Sequence, residues 1–423
     1  MGILSIIWTI IKFIVLISFL VIIHEGGHFL TAKAFGMRVN EFAVGFGPKI
    51  WGKQKGETLY AIRCIPLGGF CALEGEEEES SDPRAFGNKS VFARFLVVVM
   101  GATVNIVFAL VVFFIMFMQV GQYQSTVVDY FTEDSVGELA GIQVGDEIYK
   151  INGKRMRTIS AINEFLRINK DKDITVTVKR NNEKIDYTFK PKTVETGYVG
   201  LEFNDGSNEI SDVSVDGPAE TAGLEKNDKI LKVNDIEISN AESFSEIISQ
   251  SANVALSITY LRDNTENTVE ITPICPDLLK DYEIGFFGKV EKDIPGLIVA
   301  SFCQTGDQVY SMLNQVIEIF TGKINLKYLS GPVGIAKVVG QANTGSGFLY
   351  LLVFISLNLG IVNLLPIPPL DGGKLVFILI EGISRRKPNP KIEMYLQLAG
   401  MCLLLALMIF ATFNDITRRM SIF

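Results

Sequence analysis

Histidine is almost absent from this chain: His24 and His28 are the only two in 423 residues. That scarcity excludes a metal centre built on three imidazoles. Cysteine is nearly as sparse, with five residues. Cys64 and Cys71 fall in a stretch that reads as cytosolic and Cys402 in an apolar run, so no disulfide framework can be assembled, and only a Cys275–Cys303 bridge stays open. Charged residues make up 20% of the chain against 48% apolar ones. This is too few for an ordinary soluble enzyme and too many for a simple channel bundle. The net charge is −8, and no nucleic-acid partner is expected. A basic stretch before the first apolar run and a small-residue cleavage site after it are both missing, so that run reads as retained and not as a removed leader.

What the chain does have is apolar length. About 20 residues suffice to cross a hydrocarbon core of roughly 30 Å, and residues 3–35, 95–120, 348–370 and 394–413 all qualify; the last three runs carry no charge. Between the second and third lie residues 121–346, with 22 basic against 34 acidic side chains, a net charge of −12 and a soluble character. Basic residues in short loops set the orientation. Arg38, Lys49, Lys53, Lys55, Arg63, Arg84, Lys89 and Arg94 mark the first loop as cytosolic, and Arg385, Arg386, Lys387 and Lys391 mark the last. The acidic region and both termini then lie outside, with Arg418 and Arg419 counting mildly against this.

The two histidines stand as His24-Glu25-Gly26-Gly27-His28 within the first apolar run. On a helix, residues four apart share a face, so both imidazoles can reach one tetrahedral metal while the glutamate stands beside it as a base. Ionisable groups at membrane depth are costly unless they face a polar cavity, which makes the cluster a functional site by default. Gly26 and Gly27 are expected to loosen the helix by about 1 kcal/mol each without touching a ligand. Such a centre needs a third protein ligand, here a cysteine or a carboxylate. Asp371 stands out in Asn363-Leu364-Leu365-Pro366-Ile367-Pro368-Pro369-Leu370-Asp371-Gly372-Gly373, with Glu381 ten residues on. Three prolines in four residues break the helix, and non-helical backbone at this depth is tolerated only where it lines a cavity. Asp371 is also suited to cap the following helix.

The soluble region repeats itself. At an offset of 82 residues, Ala140, Gly141, Asp146, Ile148, Lys150 and Asn152 fall on Ala222, Gly223, Asp228, Ile230, Lys232 and Asn234, which marks two copies of one domain. Each reads as short strands, a Gly-Asp or Asn-Asp turn, one amphipathic helix and alternating strands. Asn227 replaces Gly145 in the second copy and weakens the turn there. Residues 308–320 carry the spacing of an amphipathic helix, either lying on the outer membrane surface or packing under the repeats. Glu76 to Glu79 read as a solvated linker, and Asn105 as a helix-to-helix hydrogen bond.

The order of elements in each copy, with its Ala-Gly-Leu and Gly-Asp signals, resembles the bacterial PDZ domain. HExxH in the first span with N-x-x-P-x-P-x-x-D-G in a later one resembles the site-2 protease family of intramembrane zinc metalloproteases, and the tandem PDZ-like pair places the resemblance in its regulator-of-sigma-E-protease branch. The resemblance implies zinc held by His24, His28 and Asp371, with Glu25 as general base and Asn358 and Asn363 near the substrate. It also implies a membrane-associated β-hairpin over residues 45–74, whose Tyr60 to Phe70 stretch could clamp an unwound substrate strand. Lys374 departs from the histidine common in relatives. The implied substrates are single-span membrane proteins, such as anti-sigma-factor stubs and signal-peptide remnants, cut in a bacterial inner membrane after prior trimming. The PDZ pair would bind peptide C-termini or act as a size gate.

The expected architecture is therefore a polytopic α-helical membrane protein of four transmembrane helices, with two extracytoplasmic, mostly β PDZ domains. It divides as 1–36 (first span), 37–94 (hairpin region), 95–120 (second span), 121–193 and 194–276 (PDZ pair), and 277–346 (connector). There follow 347–383 (third span and Asp-Gly-Gly element), 384–393 (loop), 394–414 (fourth span) and 415–423 (tail). A non-catalytic membrane-anchored PDZ adaptor is the alternative. A secondary transporter is disfavoured because the spans show no inverted repeat.

Overall fold

The computed structural model describes residues 3–417 apart from 77, 79, 205, 215–216, 277–278, 324–329, 342–344 and 387–388. Arg418, Arg419, Lys387, Glu77 and Glu79 of the sequence reading thus lie outside the described residues. The chain forms two compact units, residues 1–123 with 292–412 and residues 124–291 with 413–423.

The first unit is helical. It contains α1 (Ile3–Ala34), the strands β1 (Val39–Lys55) and β2 (Thr58–Leu73), α2 (Val91–Val120), α3 (Ile294–Phe320), α4 (Pro332–Gln341), α5 (Gly345–Leu364), α6 (Asp371–Ser384) and, as far as Thr412, α7 (Pro390–Thr417). Among the described residues, α1, α2, α5 and α7 are the four long and apolar enough to cross a membrane. α2 begins where the Ser90 hydroxyl accepts from the Ala93 N–H, and ends at Gly121 in the left-handed region. One buried cluster joins Leu16 and Leu20 of α1, Ala109 and Phe113 of α2, and Leu352, Val353 and Leu357 of α5 with Met312 of α3. The amphipathic helix expected from residue 308 is longer, spanning Ile294–Phe320, and its Met312 is buried in that cluster. A second cluster joins Ala32, Val39, Leu73, Val97 and Val98 to Leu375 and Ile378 of α6. Arg94 adds a two-pronged ion pair to Glu381, at 2.9 and 2.7 Å. This settles Glu381 as a structural partner and not a ligand.

The expected simple hairpin is folded back on itself. Glu41–Val44 of β1 lies between Leu59–Ile62 and Gly69–Ala72 of β2, while Trp51–Lys55 pairs with Thr58–Ile62. Both strands bend at glycines with positive φ, Gly45 (85°) and Gly68 (97°). Residues 69–73 form one outer edge, and among the described residues no further strand pairs with it.

The second unit holds the repeats, and their matching positions make matching bonds. Arg180 grips Asp146 at 2.7 and 2.8 Å and reaches the Gly141 carbonyl; Arg262 grips Asp228 at 2.7 and 2.7 Å and reaches the Gly223 carbonyl. Asn152 and Asn234 each accept, through their side-chain oxygen, the N–H of the residue 23 positions on, at 2.7 and 2.9 Å. Asn227 adopts φ 73° where Gly145 has 91°, so the turn is kept, since asparagine tolerates the left-handed region. Helices Ile159–Asn169 and Ala241–Gln250 cover the two cores.

The connector boundary at 277 needs correction. Residues Phe286–Glu291 lie beside Tyr123–Phe131 in the first repeat's sheet, Lys280–Glu283 pairs with Lys192–Glu195, and Tyr282 and Ile284 join the first repeat's core. Without this return, Tyr123–Phe131 would expose an unpaired edge. The second repeat is thus inserted into the first.

Breaking the Asp–Arg pairs gives a direct test of the repeats. Arg180→Met leaves Asp146, with a side chain 1% exposed, as an uncompensated buried carboxylate, at a cost on the order of 3 kcal/mol. Hydrogen exchange should quicken in the first repeat only, and Arg262→Met should do the same in the second. Burial alone would raise the Asp146 pKa, but the Arg180 guanidinium and the Gln143 N–H outweigh it and hold the carboxyl below its ordinary 3.8. The stabilisation is therefore complete above 3.8 and fades as pH falls through the lower folded value.

Candidate metal centre

The site forms where α1 and α2 approach closely. A Cβ on Gly27 would lie 2.6 Å from the Met100 carbonyl oxygen, and a Cβ on Gly101 would run into the imidazoles of His28 and His24. Two glycines let the helix backbones meet, as small residues do between membrane helices. The reading of Gly27 as a mere loosening of α1 is therefore corrected, whereas Gly26 faces open space.

His24 Nε2 and His28 Nε2 stand 3.2 Å apart, and Asp371 Oδ2 lies 3.0 Å from the first and 3.1 Å from the second. Among the described residues this is the one cluster of three such donors able to hold a metal. A tetrahedral ion with bonds of about 2.0 Å sets its ligands roughly 3.3 Å apart, close to these edges. The remaining ring nitrogens fit the same arrangement. A histidine that ligates through Nε2 carries its proton on Nδ1 and must donate it. His28 Nδ1 is 2.9 Å from the Val97 carbonyl oxygen, and His24 Nδ1 is 3.3 Å from the Asn105 amide. Asn105 is fully buried and its Oδ1 lacks a partner; turning the amide over gives that oxygen the His24 proton to accept. Two imidazoles and a carboxylate, with an orphaned acceptor behind them, fit a zinc ion.

Asp371 is the first residue of α6 and does not cap it, because Leu370 holds that position and no side chain caps the turn. The six residues between α5 and α6 are non-helical, closed by bonds such as Ile367 N–H to Leu365 O at 2.7 Å and Leu370 N–H to Ile367 O at 2.9 Å. The proline-rich break therefore delivers the carboxylate to the histidines of α1.

A cavity of about 670 Å³ opens beside the centre, and Glu25, His28 and Asp371 line it together. The Glu25 carboxylate is placed to exchange a proton with a molecule held there. Asn363 Nδ2 is 3.3 Å from His24 Nε2, a position from which it can donate to an oxygen at the centre. Asn358 instead donates to the Phe354 carbonyl on its own helix at 3.0 Å. Of the hairpin stretch, Phe70 lines the cavity, while Tyr60 packs against Phe29 and Phe42. Cys71 also lines it, but burial, with Glu25 and Glu76 nearby, pushes its thiol up and keeps it protonated. Lys374 forms an ion pair with Glu76 at 2.7 Å. Glu76 is thus not part of a solvated linker.

The sequence matches the profile described as Peptidase family M50 over residues 12–407. The chain belongs to peptidase family M50. It is 31% identical to a putative zinc metalloprotease of Vibrio cholerae, covering 98% of this chain and 99% of that one. It is also 31% identical to the regulator of sigma E protease of Haemophilus influenzae, covering 98% and 100%. The zinc metalloprotease RasP of Oceanobacillus iheyensis is 28% identical over 97% and 99%. This M50 peptidase is accordingly a transmembrane zinc metalloprotease of the site-2 type.

Sequence reading missed Gly101 and the role of Asn105. Their spacing of four on α2 places both on one helix face, which is the signal that could have found them. Asn105→Ala is expected to weaken zinc affinity by about 10- to 100-fold, as removal of a partner behind a ligating histidine does. Competition with a chromogenic chelator measures it. Ser356 bonds to the Asn105 backbone oxygen at 2.9 Å, so that helix contact survives the change.

Proposed function

We propose that this peptidase hydrolyses peptide bonds of single-span membrane proteins in a bacterial inner membrane, using zinc held by His24, His28 and Asp371. The observation that carries the reading is one cavity lined together by Glu25, His28, Asp371 and an open strand edge, with His24 3.0 Å from Asp371 behind them. Held by these three residues, zinc would supply Lewis-acid chemistry, making water more acidic and a carbonyl more electrophilic. Glu25 takes the proton of the attacking water and passes it to the leaving amine. Asn363 donates to the oxyanion as it develops; Asn358, one to two turns away on α5, contacts substrate farther from the reacting bond.

A substrate helix shields its own carbonyls, so it has to unwind before attack. Residues 70–73 of the edge line the cavity consecutively, and consecutive lining is what a strand edge offers, where a strand face would contribute alternate residues. The unwound segment adds to this edge as a strand. Phe46, Ile50, Trp51, Ile62 and Ile65 are exposed on the same sheet and suit contact with lipid. The two repeats act outside as PDZ domains, either binding peptide C-termini or excluding substrates whose outer domains are untrimmed. Anti-sigma-factor stubs and signal-peptide remnants are the substrate classes.

The test is cleavage of a truncated single-span reporter by detergent-purified enzyme. Cleavage should vanish on chelation and return with zinc. Asn363→Ala should retain zinc while kcat falls by about 10²- to 10³-fold; unchanged kcat would remove Asn363 from the reaction.

A further inference from the structure

Lys374 lies one helical turn after Asp371, so both project from the same face of α6. Its Nζ pairs with Glu76 Oε1 at 2.7 Å across 298 residues of sequence, with side chains 33% and 18% exposed. Glu76 follows the edge strand 69–73 after only Glu74 and Gly75. That short exit is itself held in place. The Glu74 carboxylate accepts from Asn40 at 2.8 Å and Ser80 at 2.6 Å, and its carbonyl accepts the Phe86 N–H at 2.7 Å. The Ser80 and Asn40 bonds also hold the Glu74 carboxyl below its usual range, so it stays ionised. Glu74, Glu76, Lys374, Asp371 and Glu25 all line the one cavity.

The strand edge and the metal ligand belong to different elements, β2 and α6, and their relative position decides which substrate bond meets Glu25. A one-residue slip along a strand moves the backbone by about 3.3 Å, and a 1 Å misplacement at a reacting centre can cost about 10²-fold. We propose that the Lys374–Glu76 ion pair is a strut that fixes the edge strand against the first turn of α6 and so sets the register of the substrate over the metal centre. Lys374 is on this view a positioning residue and takes no part in proton transfer. The proposal rests on the reading of residues 69–73 as the substrate-binding edge.

The experiment uses the full-length enzyme and a truncated single-span reporter, with products located by mass spectrometry and zinc counted per chain. Lys374→Met and Glu76→Gln should each keep one zinc, lower kcat by roughly 10- to 100-fold with little change in KM, and spread cleavage onto neighbouring bonds. The exchanged pair Lys374→Glu with Glu76→Lys should restore one cleavage position. Cleavage that stays at one bond with parental kcat overturns the strut, and so does loss of zinc from the single variants, which would make the pair a support of the centre itself. A reporter N-methylated on alternate amides beside the scissile bond separates the two readings. If the parent enzyme cuts it normally, the strand-edge reading fails whatever the variants do.

Discussion

Glu25→Gln is expected to leave one zinc per chain and to lower kcat by about 10²- to 10⁴-fold. The amide fills nearly the same space as the carboxylate but cannot take a proton from water or carry one to the leaving amine. Glu25 is not among the three converging donors, His24, His28 and Asp371, so the metal should stay. It lies in the cavity with His28 and Asp371, close enough for its loss to act on the reaction alone. Single-turnover cleavage of the truncated reporter, read with zinc content on the same sample, gives the answer. Zinc lost along with activity would mean that Glu25 helps build the centre, and activity retained would remove it as the base.

The contrast between what the sequence discloses and what it hides follows from the range of the interactions involved. His24 and His28 are legible because one helix fixes their relation, and Asp371 because the prolines before it interrupt an apolar run. The two repeats are legible because Asp146, Arg180 and Asn152 recur 82 positions on with the same bonding. What escapes depends on distant neighbours. Alternation in β1 and β2 announces strands but not that Glu41–Val44 is flanked on both sides. The strand Phe286–Glu291 lies more than 150 residues from its neighbour Tyr123–Phe131, with a whole repeat between them. Glu76 looks like one of a run of solvated carboxylates until Lys374 is brought to it from 298 residues away. Asn358 and Asn363 share a helix but not a location, because five residues along a helix turn the side chain away from the face that meets His24.

Gly101→Ala is the second large effect expected, and it separates the needs of the metal from those of the fold. A single added methyl would occupy space held by His28 and crowd His24. His28 cannot swing aside without giving up its 2.9 Å bond to the Val97 carbonyl, nor His24 without leaving Asn105. Zinc affinity should therefore fall by about 100-fold, the upper end of what loss of a ligating histidine's support costs, and hydrolysis should fall with it. Gly27→Ala acts on the same crossing from the other helix, but its methyl would meet the backbone at Met100, which cannot rotate away. There the helices themselves must part, at a cost of roughly 1–3 kcal/mol. Measured without metal, the thermal midpoint should drop for Gly27→Ala and hardly move for Gly101→Ala, while zinc titration should show the loss in both. Equal midpoints and equal zinc affinity across the parent and both variants would mean that α1 and α2 do not cross as closely as these two glycines require.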